Sequence, residues 1–408
     1  VIVKDPQTEK PYYEACSVSD LSQQMNILPI SETKDELEAI ERISPQIMDV
    51  QPTLDRPPWK LVVLPLQPTG NPTLSKCFIA FSFSHALGDG ISGLAFHKSF
   101  LAGLQDPTAA QYHKPAKGSM PEPFDTRKNL PISLGYLLAP ALGQYLPKFV
   151  SKALGLRPAV STITPTTWLG NRTVFLDAEH RSGVRVFKLE GAVVDKLVQK
   201  CREHDTKLTS LLHQVIIHAL SVALPDDSKS DSFASQTAIN MRHHVKVSND
   251  TMGLYVTGYF DVHSRTTDTT KIWTSAKAMN TKLHACSNTL QDQSIGLLRF
   301  LLSIRSWTAG HMGGSRDASY ELSNLLAFDP GVHHEGSAWT LGNMAFAQPA
   351  NVTGAPLAFN VVARRSQNLV CTVTWQVGAL GVEKGEDEGE FVDRVVEGVL
   401  KNVRQLLS

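Results

Sequence analysis

Hydrophobic and polar positions change their period several times along this chain, and each change marks an element. The run Lys76-Cys77-Phe78-Ile79-Ala80-Phe81-Ser82-Phe83-Ser84-His85 is aromatic and small, without Gly or Pro, and predicts a buried strand. With a period of two, His85 shares a face with Phe83, Phe81 and Ile79. Gly88 and Gly90 supply the backbone freedom for a sharp turn. Ile91, Leu94, Ala95, Phe100, Leu101 and Leu104 then give a following helix its apolar side. Pro and Gly become frequent beyond this helix, as in a connection between two lobes. An uncharged run between Lys128 and Lys148 has the length of a membrane span. Pro131, Pro140, Pro147, Gly135 and Gly143 break it, so a broken apolar hairpin or a weak interfacial membrane contact is expected rather than a transmembrane span.

Regular alternation returns at Val184–Leu189, read as a strand. Val193–Val198 opens an amphipathic helix, and Thr209 is expected to cap another carrying Leu211, Leu212, Val215, Ile216, Ala219, Leu220 and Leu224. His213 and His218 ride on that helix and are read as exposed or flanking. Strands follow at Ser235–Arg242 and Leu254–Val262, then helices around Ile272–His284 and Ile295–Ile304. Phe359–Ala363 and Leu369–Val377 form a hairpin around Arg365-Ser366-Gln367-Asn368. The last helix begins near Glu390, with Val392, Val395, Val396, Val399, Val403 and Leu406 as its stripe.

Composition narrows the function classes. With 39 basic and 39 acidic residues the chain is neutral and has no broad footprint for nucleic acid. Its 408 residues favour two domains. The five cysteines are scattered without a CxxC pair, which argues against zinc, redox and disulfide frameworks and for a reducing, cytoplasmic compartment. His243-His244 and His333-His334 lack acidic or cysteine partners at ligand spacing, so no metal is expected. Asn171-Arg172-Thr173, Asn249-Asp250-Thr251 and Asn351-Val352-Thr353 match the glycosylation acceptor pattern, but such triplets arise by chance in a chain this long.

The densest chemistry is in Phe83-Ser84-His85-Ala86-Leu87-Gly88-Asp89-Gly90, which puts a base and a carboxylate four positions apart at a strand-to-helix turn. Imidazoles titrate near neutral pH, where a general base works best. His85-Ala86-Leu87-Gly88-Asp89-Gly90 resembles the HxxxDG motif of the chloramphenicol acetyltransferase-like superfamily. That superfamily includes plant BAHD acyltransferases, fungal alcohol acetyltransferases and peptide-synthetase condensation domains. Arg56-Pro57-Pro58-Trp59 resembles the strand preceding the motif, Asn240-Met241-Arg242 the family's Asn-x-Arg strand, and Glu321-Leu322-Ser323-Asn324-Leu325 the Ser-Asn strand of the fungal branch. Asn343–Pro349 stands where plant members carry DFGWGKP, with Asn343, Phe346 and Gln348 replacing the Asp, Trp and Lys. Condensation domains usually carry a second His before the catalytic one, and here that position is Ser84. The fungal alcohol acetyltransferase-like branch is the best overall match.

The resemblance implies a two-lobed α/β fold, with mixed sheets flanked by helices and a tunnel at the lobe interface. Residues 1–150 would form the amino-terminal lobe, 151–183 the crossover and 184–408 the carboxy-terminal lobe. Since the family's lobes are of similar size, the first strand and helix are expected to be absent from this chain. The resemblance further implies an O-acyltransferase moving an acyl group, most simply acetyl, from acyl-CoA to a small or secondary-metabolite-like alcohol, with acyl-CoA as co-substrate and no bound cofactor; a monomer is expected. His85 would be the general base and Asp89 would pair with Arg242. Gly90's N–H, Ser323 and Asn324 would face the oxyanion or the substrate, and Arg364 and Arg365 the CoA phosphates. Two alternatives remain open on the sequence. One is a condensation-like enzyme drawing on a carrier protein or forming an amide or ring; the other is a non-catalytic binding protein.

Overall fold

The computed structural model describes residues 2–5, 11–14, 21–50, 56–67, 75–106, 122–143, 150, 163–226, 228–331, 338–383 and 385–408. His333-His334 and Cys16 lie outside these residues. The chain forms two compact units that interleave along the sequence. One comprises Val1–His113, Asn249–Leu254 and Asp329–Gly342; the other comprises Lys114–Ser248, Tyr255–Phe328 and Asn343–Ser408.

In the first unit, β1 (Ile2–Lys4) pairs antiparallel with β2 (Pro11–Tyr13). β3 (Met25–Ile27), β4 (Trp59–Pro65) and β5 (Cys77–Phe83) form a three-stranded sheet in that order, β3 parallel and β5 antiparallel to β4. α1 (Glu36–Met48) starts at Asp35, whose carboxylate accepts the N–H groups of Leu37 and Glu38. It lays Ala39, Ile43 and Ile47 on Val62 and Leu64. The alternation of β4 and β5 turns an aromatic set to the opposite side. Phe81 stacks on Phe96 of α2 (Gly90–Gln105) at 3.7 Å, with Phe83, Trp59 and Phe100 continuing the stack.

The second unit opens with α3 (Leu134–Gly143), which occupies the middle of the uncharged run. Among the described residues no helix is long and apolar enough to cross a membrane. Among the described residues its mixed sheet has seven strands. β6 (Thr167–Trp168) pairs with the start of β8 (Ser232–Asn240), and β9 (Val256–Ser264) runs antiparallel along β8. From β8 the order continues through β10 (Tyr320–Phe328), β11 (Leu357–Arg364) and β12 (Leu369–Gln376) to β7 (Ser182–Leu189). After α3, the helices of this unit among the described residues are α4 (Gly191–Glu203), α5 (Leu208–Ala223), α6 (Ile272–Ser287), α7 (Ile304–Ala309) and α8 (Glu388–Leu407). The core is the contact of α5 and α8 with one sheet face, where Leu212, Val215, Ile216, Val395 and Val399 meet Phe359, Val361, Cys371 and Val373.

Several expectations are corrected. The helix expected over Ile295–Ile304 is a 3-10 turn, Ser294–Phe300, followed by the short α7, because Ser303 caps a new start by accepting the N–H of Ser306. Thr209 is not the cap of α5: Lys207 holds that position without a side-chain bond. The strand expected to reach Arg242 ends at Asn240, and Arg242 begins a 3-10 turn. His213 is neither exposed nor flanking. It is wholly buried, because α5 is apolar around nearly its whole circumference. His218, half-buried, takes the expected flanking place beside the carbonyl of Thr267.

Candidate active site

In the first unit, β5 ends at Phe83, so His85 sits in the turn after the strand rather than on its face. Ser84 N–H donates to Pro58 O (2.8 Å) and Leu87 N–H to Ser84 O (2.9 Å), which fixes the backbone on both sides of His85 while its side chain is exposed. Gly88 answers to space and not to φ. A Cβ there would lie 2.6 Å from Ser92 Oγ and 2.7 Å from Ser92 Cβ, and neither Gly88 nor Gly90 has positive φ.

Asp89 is the N-cap of α2 and is only 4% exposed. Its Oδ1 accepts Ser92 N–H at 3.1 Å and lies 3.2 Å from Ser92 Oγ, and its own N–H donates to Gly253 O (3.2 Å). Gly253 N–H in turn donates to Ser92 Oγ (3.0 Å). A segment more than a hundred and fifty positions away, Asn249–Leu254, is thus latched to the motif, with Lys98 and Asp250 adding an ion pair at 2.9 Å. Ser92 is the functional neighbour that the sequence reading missed. An Asp at a helix start followed three positions later by a small hydroxyl residue was its available signal; Gly253 had none.

In the second unit, Arg242 is 1% exposed. Asn240 Oδ1 accepts its backbone N–H (3.1 Å) and its Nη1–H (3.4 Å), while the guanidinium lies 4.8 Å from the centre of the Tyr255 ring. This explains the Asn-x-Arg spacing: the amide two positions upstream orients the arginine. Ser323 is buried on β10. Asn324 is tied at both ends of its amide, Nδ2 donating to Thr209 Oγ1 (3.1 Å) and Oδ1 accepting Leu326 N–H (2.8 Å). Its second bond stabilises a bulge in which Leu326 takes φ +64. Arg364 ends β11 half-buried, and Arg365 is exposed in the hairpin turn.

The Asn343–Pro349 loop is anchored by its own replacements. Asn343 Oδ1 accepts Asn368 Nδ2–H (3.0 Å), and Gln348 Nε2 donates to Asn360 Oδ1 (3.0 Å) and Glu321 Oε1 (3.3 Å). Nearby loops are held by the buried Arg316, which donates to the carbonyls of Asn171, Asn351, Val352 and Gly354. The described cysteines are all free, and burial pushes the thiols of Cys77, Cys201 (to about 11) and Cys371 upward. Among the described residues no cluster of His, Cys, Asp and Glu has the makings of a metal site. The structure therefore gathers His85, Asp89 and Gly90 in one unit, and Arg242, Ser323, Asn324, Arg364 and Arg365 in the other.

A family model for alcohol acetyltransferases matches residues 30–393. The probable alcohol acetyltransferase crmB of Aspergillus fumigatus is 26% identical over 361 residues, spanning 85% of this chain and 72% of that protein. The probable alcohol acetyltransferase FCK4 of Fusarium pseudograminearum is 22% identical over 389 residues, spanning 91% and 77%. Among solved structures, the TRI3 trichothecene 15-O-acetyltransferase from Fusarium sporotrichioides superposes with a TM-score of 0.59 at 13% identity, covering 93% of this chain and 77% of that one. The EpoB cyclization-docking bidomain from Sorangium cellulosum gives 0.57 at 15% identity, covering 100% and 73%. At these identities the solved structures speak for the fold, the two-lobed α/β architecture shared by acetyltransferases and condensation domains. The family match runs nearly the length of the chain: this protein belongs to the alcohol acetyltransferase family and is an acyltransferase.

Proposed function

We propose that the enzyme moves an acyl group, most simply acetyl, from acyl-CoA to a hydroxyl of a small, secondary-metabolite-like acceptor, with His85 as the general base. The observation that carries this reading is the exposed imidazole on a turn locked from both sides and braced by the buried Asp89 cap. The acceptor hydroxyl attacks the thioester carbonyl as His85 takes its proton, giving a tetrahedral oxyanion. The C–S bond then breaks, and His85 returns the proton to the thiolate, leaving an ester and free CoA. Ser323, Asn324 and the Gly90 N–H are the donors assigned to the oxyanion or the substrate, and Arg364 and Arg365 those assigned to the CoA phosphates. Asp89 and Arg242 pair in this reading. Cysteine thiols held protonated by burial support direct transfer without an acyl-cysteine intermediate, and their free state suits a reducing, cytoplasmic setting.

The test is thiol release from acetyl-CoA against a panel of alcohols, with His85→Ala in parallel. Release that requires both an alcohol and His85 is expected. Equal release by His85→Ala would remove His85 from the chemistry, and no release with any acyl-CoA from folded enzyme would overturn the donor.

A further inference from the structure

We propose that His213 is a positioning residue, one that staples β8 to β10 and so sets where Arg242, Ser323 and Asn324 stand. This rests on the reading above only in taking those three residues as part of the site.

His213 lies inside the apolar contact of α5 with the sheet, and both its ring nitrogens are engaged. Nε2 is 2.9 Å from Thr237 Oγ1 on β8, and Nδ1 is 2.8 Å from the Tyr320 hydroxyl on β10. Burial holds the imidazole well below its ordinary value, so it is neutral, with one N–H and one lone pair. It therefore donates to one hydroxyl and accepts from the other, and both strands are satisfied at once. The two strands are parallel neighbours, with Tyr320 opposite Ser235 and Leu322 opposite Thr237. The chain of contacts continues through Ser235 to His263, whose Nε2 lies 2.8 Å from Ser235 Oγ. Beyond it, Asp261 and Lys282 close the line with an ion pair at 2.8 Å.

The placement of this staple gives it a role beyond filling the core. Three residues after Thr237 comes Asn240, whose amide orients Arg242. Three residues after Tyr320 comes Ser323, with Asn324 next. One helical turn before His213, on the same side of α5, Thr209 takes the Asn324 amide. One helix face thus touches both strands and the site end of one of them. A polar group buried in such a layer is retained only with its partners in place, because each hydroxyl left without one carries the full desolvation cost.

The experiment compares His213→Phe, which keeps a flat ring, slightly larger, and strands both hydroxyls, with His213→Gln, which keeps a nitrogen for Thr237. In the acetyl-CoA assay His213→Phe should lose about tenfold or more in kcat with the KM for acetyl-CoA little changed, and His213→Gln should recover part of the loss. Hydrogen exchange without substrate should quicken about tenfold over 237–242 and 320–326 while α8 keeps its protection. Exchange reads the staple whether or not the wild type uses acetyl-CoA, so a silent wild type overturns the acyl-CoA reading and leaves exchange to decide on His213. Wild-type exchange at both strand ends, quickening spread evenly over the unit, or unchanged kcat in an active, folded variant each overturns the proposal. Should His213→Phe fail to fold, Thr237→Val and Tyr320→Phe each remove one hydroxyl. Undisturbed exchange at 240–242 and 323–324 in both variants then overturns it as well.

Discussion

Asp89 has two duties that single substitutions can separate. As the N-cap of α2 it accepts the N–H of Ser92, and removing a cap costs about 1 kcal/mol. Asparagine caps as well as aspartate but carries no charge. Asp89→Ala should therefore lose the cap and the proposed pairing with Arg242 together, while Asp89→Asn isolates the charge. A double-mutant cycle of Asp89→Asn with Arg242→Met, followed by denaturant unfolding, is expected to give a coupling of about 1–3 kcal/mol. A coupling near zero would reduce Asp89 to a cap. Gly88 is constrained by contact with the wholly buried Ser92. Gly88→Ala should cost roughly 1–3 kcal/mol through overpacking and lower acyl transfer more than its stability loss explains, because the turn that moves carries His85. Full activity per folded molecule would detach the turn's geometry from catalysis.

At the scale of elements, patterning made most strands and helices legible and left their joints obscure. The hairpin of β11 and β12 announced itself by strict alternation flanking a polar turn, and α8 by its valine stripe above Asp387, whose carboxylate accepts the N–H groups of Gly389 and Glu390. The joint after α6 did not, since Ile295–Ile304 has apolar spacing without showing where the backbone breaks. The HxxxDG turn was readable from residue types, but its latch to Gly253 was not, because nothing local marks a carbonyl that will meet Ser92 from another part of the chain. The bulge in β10 is a joint of the same hidden kind. Leu326, 63% exposed, sits at φ +64, and Asn324 holds it there. A β-branched side chain is poorly tolerated in that conformation. Leu326→Val should therefore lower stability by about 1 kcal/mol, whereas Leu326→Gly should leave it unchanged or slightly raised. Thermal melts of the pair check this, and equal losses would mean that the exposed leucine packs rather than merely turns.

Across the molecule, three histidines that the sequence showed only as scattered polar positions are kept neutral by burial. His97 in the first unit and His263 in the second are each held down to about 4, and His213 is lowered too far for protonation to be compatible with its place. For His263, Asp261 opposes the effect of burial and Lys282 adds to it. In the unfolded chain these imidazoles take up protons near their ordinary value of 6.5. Between that value and about 4 the unfolded state therefore binds more protons than the folded one, and stability must fall as pH falls through the window. Asp317 acts with the opposite sign, since burial raises its carboxyl and the folded state gains protons there first. It offsets part of the loss only towards the acid end. Glu203 and Asp268, lowered by hydrogen bonds from Gln199 and Thr270, add losses only below their ordinary values of 4.5 and 3.8. The melting temperature should accordingly be nearly level between about pH 7 and about pH 8 and decline steadily below about pH 6.5, before the carboxylates titrate. His97→Met should flatten the first unit's share of that decline, because methionine fills a buried site without a titrating group. Scanning calorimetry of both proteins from pH 7 to 5 decides the matter. A wild-type melting temperature that stays constant over that range would mean that these histidines are charged or solvated in the folded enzyme, contrary to the burial of their rings and to the hydrogen bonds of His213 and His263.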